Sequence, residues 1–250
     1  MDAGHIALIA GAAMVGGAVN AIAGGGSLIT FPTLLALGVP PVIANVTNTV
    51  ALCPGYFGAT IAQRKDLAGQ RKRLALLVPL SVIGGAAGAL LLLASGERAF
   101  QQVIPFLILL AAILVGLQGK LRTWLGTRPA SARTELLAAL PVTAGAVYGG
   151  YFGAGLGVMV LASLGIVLAD SLTRLNALKQ VISLSVNIAA AAVFVVRAPV
   201  DWTICAVMAG AALAGGMIGG ALASRIPAHV LRWGIVILGS AVAAVYFVKS

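Results

Sequence analysis

Two copies of one pattern, each apolar enough to lie in a bilayer, constrain this chain more than any other feature. Asn45, Gly84, Gly85 and Gly88 recur 131 residues later as Asn176, Gly215, Gly216 and Gly219. Gly24-Gly25-Gly26 is answered by Gly153-Ala154-Gly155 at an offset of 129, so a glycine-rich interruption precedes each copy. Duplicated membrane halves that each carry an interrupted helix are a secondary-transporter pattern, and the interruption is where the substrate site is expected.

The chain is 60% hydrophobic and 9% charged with a mean hydropathy of +1.07, against about 25% charged residues in a soluble globule. Stretches with few or no charges run over 5–63, 74–95, 103–119, 136–169, 181–196, 202–224 and 233–248. One helical span takes roughly 20 residues, so the longest of these hold more than one segment. They are apolar on all faces, unlike the alternating strands of an outer-membrane barrel, and the expected class is an all-α polytopic membrane protein. The net charge of +10 comes from Lys and Arg between spans, where cytoplasmic loops collect them, and does not imply nucleic acid as a partner. The polar connections 64–73 and 120–135 are too short for a soluble domain. Asp2 in place of a basic cluster argues against a cleaved signal peptide. Cys53 and Cys205 stand alone in apolar spans and read as packing residues.

Topology follows from the interruptions and the charges. As one continuous helix, residues 5–38 would be about 50 Å long, beyond a hydrocarbon core of roughly 30 Å, so the segment bends where three glycines make helix propensity lowest. If each broken segment folds as a hairpin, three crossings per half remain and the halves (1–128 and 129–250) are inverted repeats. With loops 64–73 and 120–135 in the cytoplasm, this places 13 Lys/Arg inside and 3 outside (Arg98, Arg197, Lys249). Broken segments that cross once give 11 inside and 5 outside, and the positive-inside rule favours the inverted arrangement.

A broken helix in lipid leaves N–H and C=O groups that only protein, water or a ligand can pair. Half-helices starting near Ser27 and Leu156 present free N–H groups and a positive dipole end, so a small anion is the natural guest. The candidate substrate-binding residues are Asn20, Gly24, Gly25, Gly26, Ser27 and Thr30 around the first break, and Gly153, Ala154 and Gly155 at the second. Asn45, Thr47, Asn48 and Asn176 at the starts of the following helices join them. Thr47 and Asn48 have the alternative of bonding their own helix. Lys179, one turn beyond Asn176, is a further candidate, weighed against snorkelling to the interface. By contrast, the glycines at 84, 85, 88, 215, 216 and 219 read as close helix contacts. Binding is expected to depend on backbone donors more than on any one charged side chain, since a fixed charge in a dry site would hold an anion too tightly.

No Asp or Glu lies inside an apolar span, so no carboxylate relay or carboxylate sodium cage is written here. No phosphate-binding loop, serine elbow or metal-ligand spacing occurs, and neither an enzyme nor a cofactor is expected. The stretch GGAVNAIAGGGSLITFPTLLALGVPPVIANVTNTVA, Gly16 to Ala51, resembles the opening of the sulfite exporter TauE/SafE family of permeases. GGYFGAGLGVMVLASLGIVLADSLTRLNALK, Gly149 to Lys179, repeats the theme. The resemblance implies transport of sulfite, sulfonates such as sulfoacetate, or related small anions across the bacterial cytoplasmic membrane. An inside-negative potential drives each negative charge outward with about 2.3 kcal/mol per 100 mV, which favours export. A passive anion channel and a non-transporting membrane scaffold stand as alternatives.

Overall fold

The structure, a computed structural model, describes residues 2–124, 136–168 and 170–223. Every element in it is helical: α1 Ala3–Ile22, α2 Ser27–Ala36, α3 Pro41–Ala62, a 3-10 turn Arg64–Leu67, then a helical run Arg71–Trp124. After the undescribed 125–135, where the expected boundary between halves lies, come α6 Ala139–Tyr151, α7 Leu156–Val167, α8 Leu172–Arg197 and α9 Trp202–Leu222. Among the described residues, four helical segments are long and apolar enough to cross a membrane. The polarity is that of a membrane protein: Leu8, Phe57, Phe106, Leu140 and Val196 are exposed, while Asn20, Asn45, Thr47, Asn48, Lys179 and Gln180 are buried.

The run Arg71–Trp124 is two helices. Gly96 interrupts it with φ 74° and ψ 170°, which divides it into 71–95 (α4) and 97–124 (α5). A Cβ on Gly88 would meet the Tyr151 amide at 2.8 Å and one on Gly155 would meet Ala111 at 3.2 Å. A straight helix would hold residues 88 and 111 about 35 Å apart, so the chain turns back at Gly96.

Both broken segments also fold back on themselves. Thr30 lies against Gly16, and Met159 lies against Gly145. Each pair is 14 residues apart, and the second pair is the first moved by 129. The breaks begin in the same way. Ala23 and Gly24 both donate to the Val19 carbonyl, and Phe152 and Gly153 both donate to that of Tyr148. Gly24 (φ 87°) and Gly153 (φ 79°) occupy the left-handed region that ends a helix with little strain only at glycine.

The halves exchange contacts in register. Gly215 presses on the Met14 carbonyl, Gly219 on Ala18 and Gly216 on the Gly55 carbonyl. In the other direction Gly84 meets the Thr143 carbonyl, Gly88 that of Val147 and Gly85 that of Val186. Thr143 and Val147 are Met14 and Ala18 moved by 129, and Val186 is Gly55 moved by 131. Absent side chains let these backbones approach, which is how helices associate where lipid offers no hydrophobic drive. α1 and α3 thus pack on α9, while α6 and α8 pack on α4 through Gly84, Gly85 and Gly88.

Candidate functional site

The two breaks meet. A Cβ on Gly24 would lie 2.6 Å from the Gly157 carbonyl carbon and 2.7 Å from the Val158 nitrogen, so the first break rests on the opening turn of α7. Glycine is required there twice over, by contact and by positive φ.

At the first break the carbonyls that end α1 are capped by α8. Lys179 Nζ donates to the Asn20 carbonyl (3.0 Å) and Gln180 Nε2 to that of Ala21 (2.7 Å). Asn176 Nδ2 donates to Ala21 O (3.1 Å) and to Gln63 Oε1 (2.8 Å). The Asn20 side chain reaches forward, its Oδ1 accepting from the Gly26 N–H at 2.7 Å, which pins the first turn of α2. Lys179 is 0% exposed and pairs with no carboxylate among the described residues. Its ammonium sits at the negative end of the α1 dipole instead of snorkelling to an interface.

The second break is held differently. Asn45 Nδ2 donates to the Tyr151 carbonyl (3.0 Å), the crossed partner of the Asn176 contact displaced by one residue, and Tyr148 Oη donates to Ala154 O (2.7 Å). Aromatic rings cluster beside it: Phe31 of α2 packs edge-on against Phe152 at 5.2 Å, and Phe100 of α5 lies 5.8 Å from Tyr151 and 6.2 Å from Phe152. Gly155 starts α7 with φ 75°.

Other candidates take structural bonds. Thr30 Oγ1 lies 3.5 Å from the Gly26 carbonyl of its own helix. Thr47 Oγ1 does not bond its own helix but accepts from the Asp201 N–H at 3.0 Å, ahead of α9. Asn48 is buried and its Oδ1 has no partner; Ser27 is buried at the start of α2. Gly25 lies between Gly24 and Gly26 in the break itself.

Sequence reasoning missed Gln63, Gln180, Tyr148 and the aromatic cluster. It also missed a latch between the halves near the polar loops, where Asp170 accepts from Arg73 and from Arg174 Nε (2.9 Å). Gln70 Nε2 donates to the Arg174 carbonyl (3.0 Å) and Arg174 Nη1 to that of Ala68 (2.8 Å). Burial raises the Asp170 pKa, but hydrogen bonds from Arg73, the Ser171 N–H and Arg174 outweigh it and leave the carboxyl below its ordinary value. The period of 176, 180, 183 and 187 was the available signal for Gln180: those residues line one face of α8.

The profile of the Sulfite exporter TauE/SafE family matches residues 9–246. The chain belongs to this family. A relative in Escherichia coli K12, "Probable membrane transporter protein YfcA", is 30% identical over 220 residues, covering 86% of this chain and 77% of its own. A "Probable membrane transporter protein" of Haemophilus influenzae is 30% identical over 210 residues, covering 83% and 79%. "Probable membrane transporter protein ORF9" of a Sinorhizobium species is 26% identical over 239 residues, covering 93% and 88%. The TauE/SafE match and these relatives place the chain among membrane transport proteins. Among the described residues no group of three His, Cys, Asp or Glu is placed to hold a metal ion.

Proposed function

We propose that this chain carries small anions across the bacterial inner membrane by alternating access of two inverted repeats. Sulfite and sulfonates such as sulfoacetate are the leading substrates, and export is the leading direction. The observation that carries the reading is the meeting of the two breaks, where Gly24 rests on the opening turn of α7, with Lys179 fully buried beside the first break and paired with no carboxylate among the described residues. An isolated buried cation is costly, and a passing anion supplies the missing counter-charge. The starts of α2 and α7, brought together by the Gly24–Gly157 contact, add their positive dipole ends. The matched contacts at offsets of 129 and 131 support two equivalent halves, which the charge tally orients with loop 64–73 in the cytoplasm.

The test is flux through purified protein in vesicles, with sulfite, thiosulfate, sulfonates and organic carboxylates as a panel and a potassium-diffusion potential imposed. Sulfur oxyanions are expected to leave faster when the inside is negative. No flux of any anion would remove the transport reading, and flux indifferent to the potential would remove its electrogenic part.

A further inference from the structure

The latch and the first break share the start of α8. Asp170 accepts from Arg73 at one carboxylate oxygen and from Arg174 Nε (2.9 Å) at the other, and the side chains of Arg73 and Asp170 are only 14% and 15% exposed. Beside them Gln70 Nε2 donates to the Arg174 carbonyl (3.0 Å), Arg174 Nη1 to the Ala68 carbonyl (2.8 Å) and Asn176 Nδ2 to Gln63 Oε1 (2.8 Å). Residues 63–73 of the first half therefore clasp 170–176 of the second. Arg174 and Lys179 are five residues apart on α8, about 7 Å of helix rise, so the clasp stands next to the buried Lys179. The matching surface of the other repeat is apolar. The N-caps of α3 and α8, Pro40 and Ser171, are 131 apart, as are Arg71 and Trp202, which open α4 and α9. Moving back or forward by 131 turns Asp170 into Val39, Arg174 into Ile43, Arg73 into Ile204 and Gln63 into Phe194. Phe194 and Ile204 are buried in one apolar cluster, and Val39 packs against it. Asp201 spends its carboxylate on the Ile204 N–H (3.0 Å) to cap α9, and among the described residues no ion pair joins the halves there.

From this we propose that the Arg73–Asp170–Arg174 clasp is a gate: it locks the arrangement closed over the first break on the face that carries loop 64–73, and it parts each time an anion passes between that face and Lys179. This role rests on alternating access as proposed for the chain. Two inverted halves exchange roles in such a cycle, so the contacts that close one face part as those that close the other form. Here the two closures differ in kind. One is held by charge-assisted hydrogen bonds to a single carboxylate, and removing one partner leaves the other charges unmatched. The other is held by contact among apolar side chains and depends on no single residue. A clip with a purely structural role would instead hold the halves together in every state.

The experiment times access to the first break with no transported anion present, so its failure is separate from failure of the anion reading. In the full chain carrying Cys53→Ser and Cys205→Ser, Lys179→Cys is the reporter, and its alkylation by a small charged thiol reagent is followed in right-side-out and inside-out membrane vesicles. Lys65→Cys, at an exposed position in the clasping segment, identifies which vesicles present the clasp face. Asp170→Asn and Arg73→Gln are each expected to speed labelling of residue 179 from the clasp face about tenfold, and to leave labelling from the opposite face no faster. Asp170→Glu, which keeps the charge, should label nearer the parent rate, as should the exchange of Arg73→Asp with Asp170→Arg. Should Asp170→Asn fail to fold, Arg73→Gln and Arg174→Gln decide the matter. Unchanged labelling from the clasp face in these variants would overturn the gate, as would labelling that quickens from both faces alike, the mark of a clip that only holds the fold together.

Discussion

The first and second breaks share a backbone and differ in chemistry. Each ends its leading half-helix on a left-handed glycine whose N–H reaches back five residues, to Val19 in one and Tyr148 in the other. Around the first lie Asn20, Lys179, Gln180, Asn176 and Gln63, a polar set that ends in the buried Lys179 amine. Around the second lie the rings of Phe31, Phe100, Tyr151 and Phe152. The difference teaches that a duplicated fold keeps what geometry requires, the glycines and the crossed asparagines, and diverges in what the site does with charge. In this account the first break attracts the anion, and the second excludes water with rings.

The comparison breaks most severely at Gly24. Valine there would collide with the Gly157 backbone and force a β-branched residue to positive φ, at a cost of more than about 3 kcal/mol. Flux should vanish and the midpoint of unfolding should fall, measured together on purified protein. At Gly155 the φ of 75° again strains valine, but the nearest neighbour is the Ala111 methyl at 3.2 Å, so a loss of about 1–3 kcal/mol and partial survival of the fold are expected. Flux through Gly155→Val should fall further than through Lys179→Gln. The reverse order would centre the site on the lysine.

Lys179→Gln tests the charge. It removes an unpaired buried ammonium and keeps an amide donor for the α1 end, so stability should hold within about 1 kcal/mol while anion flux drops roughly tenfold. A flux that stays normal would leave Lys179 as a helix cap only. Phe100→Ala addresses the other break. Lipid is as apolar as the cluster, so the cost is mainly the cavity, about 1–2 kcal/mol, and the sharper readout is an anion leak independent of substrate on the far side.

The smallest effect is at the latch. Asp170→Asn weakens the bonds to Arg73 and Arg174 and should cost about 1 kcal/mol. Because the folded carboxyl lies below its ordinary value of 3.8, its stabilisation is present above that pH and is lost as pH falls through the lower folded value. Acid unfolding of the parent chain and of Asp170→Asn should therefore converge at low pH and diverge near neutrality. Parallel curves would deny the latch.

Much of this fold was legible because its causes are periodic. Glycines at 84, 85 and 88 and again at 215, 216 and 219 can serve helix contact only if a facing backbone fills the space, and the backbones of 143, 147 and 186 and of 14, 18 and 55 do so. The reversal at Gly96 was readable from the charged pair Glu97 and Arg98 between two apolar runs. The roles of the polar residues were less legible, because a side chain at a helix start announces a hydrogen bond without naming its partner. Thr47 serves the Asp201 N–H, Asn176 serves Ala21 and Asn45 serves Tyr151, all across more than 100 residues of sequence. The aromatic cluster draws on α2, α5 and the second break, and no local spacing relates Phe31 to Phe100 or Phe152.

The central claim is that an anion passes where the two breaks meet, by a carrier cycle. Counterflow measures it most directly: vesicles bearing the purified chain are loaded with unlabelled sulfite, and entry of sulfur-35 sulfite is followed. The account predicts entry accelerated by internal sulfite, abolished in Gly24→Val and slowed in Lys179→Gln. Entry that ignores internal sulfite, or that persists unchanged in Gly24→Val, would contradict it.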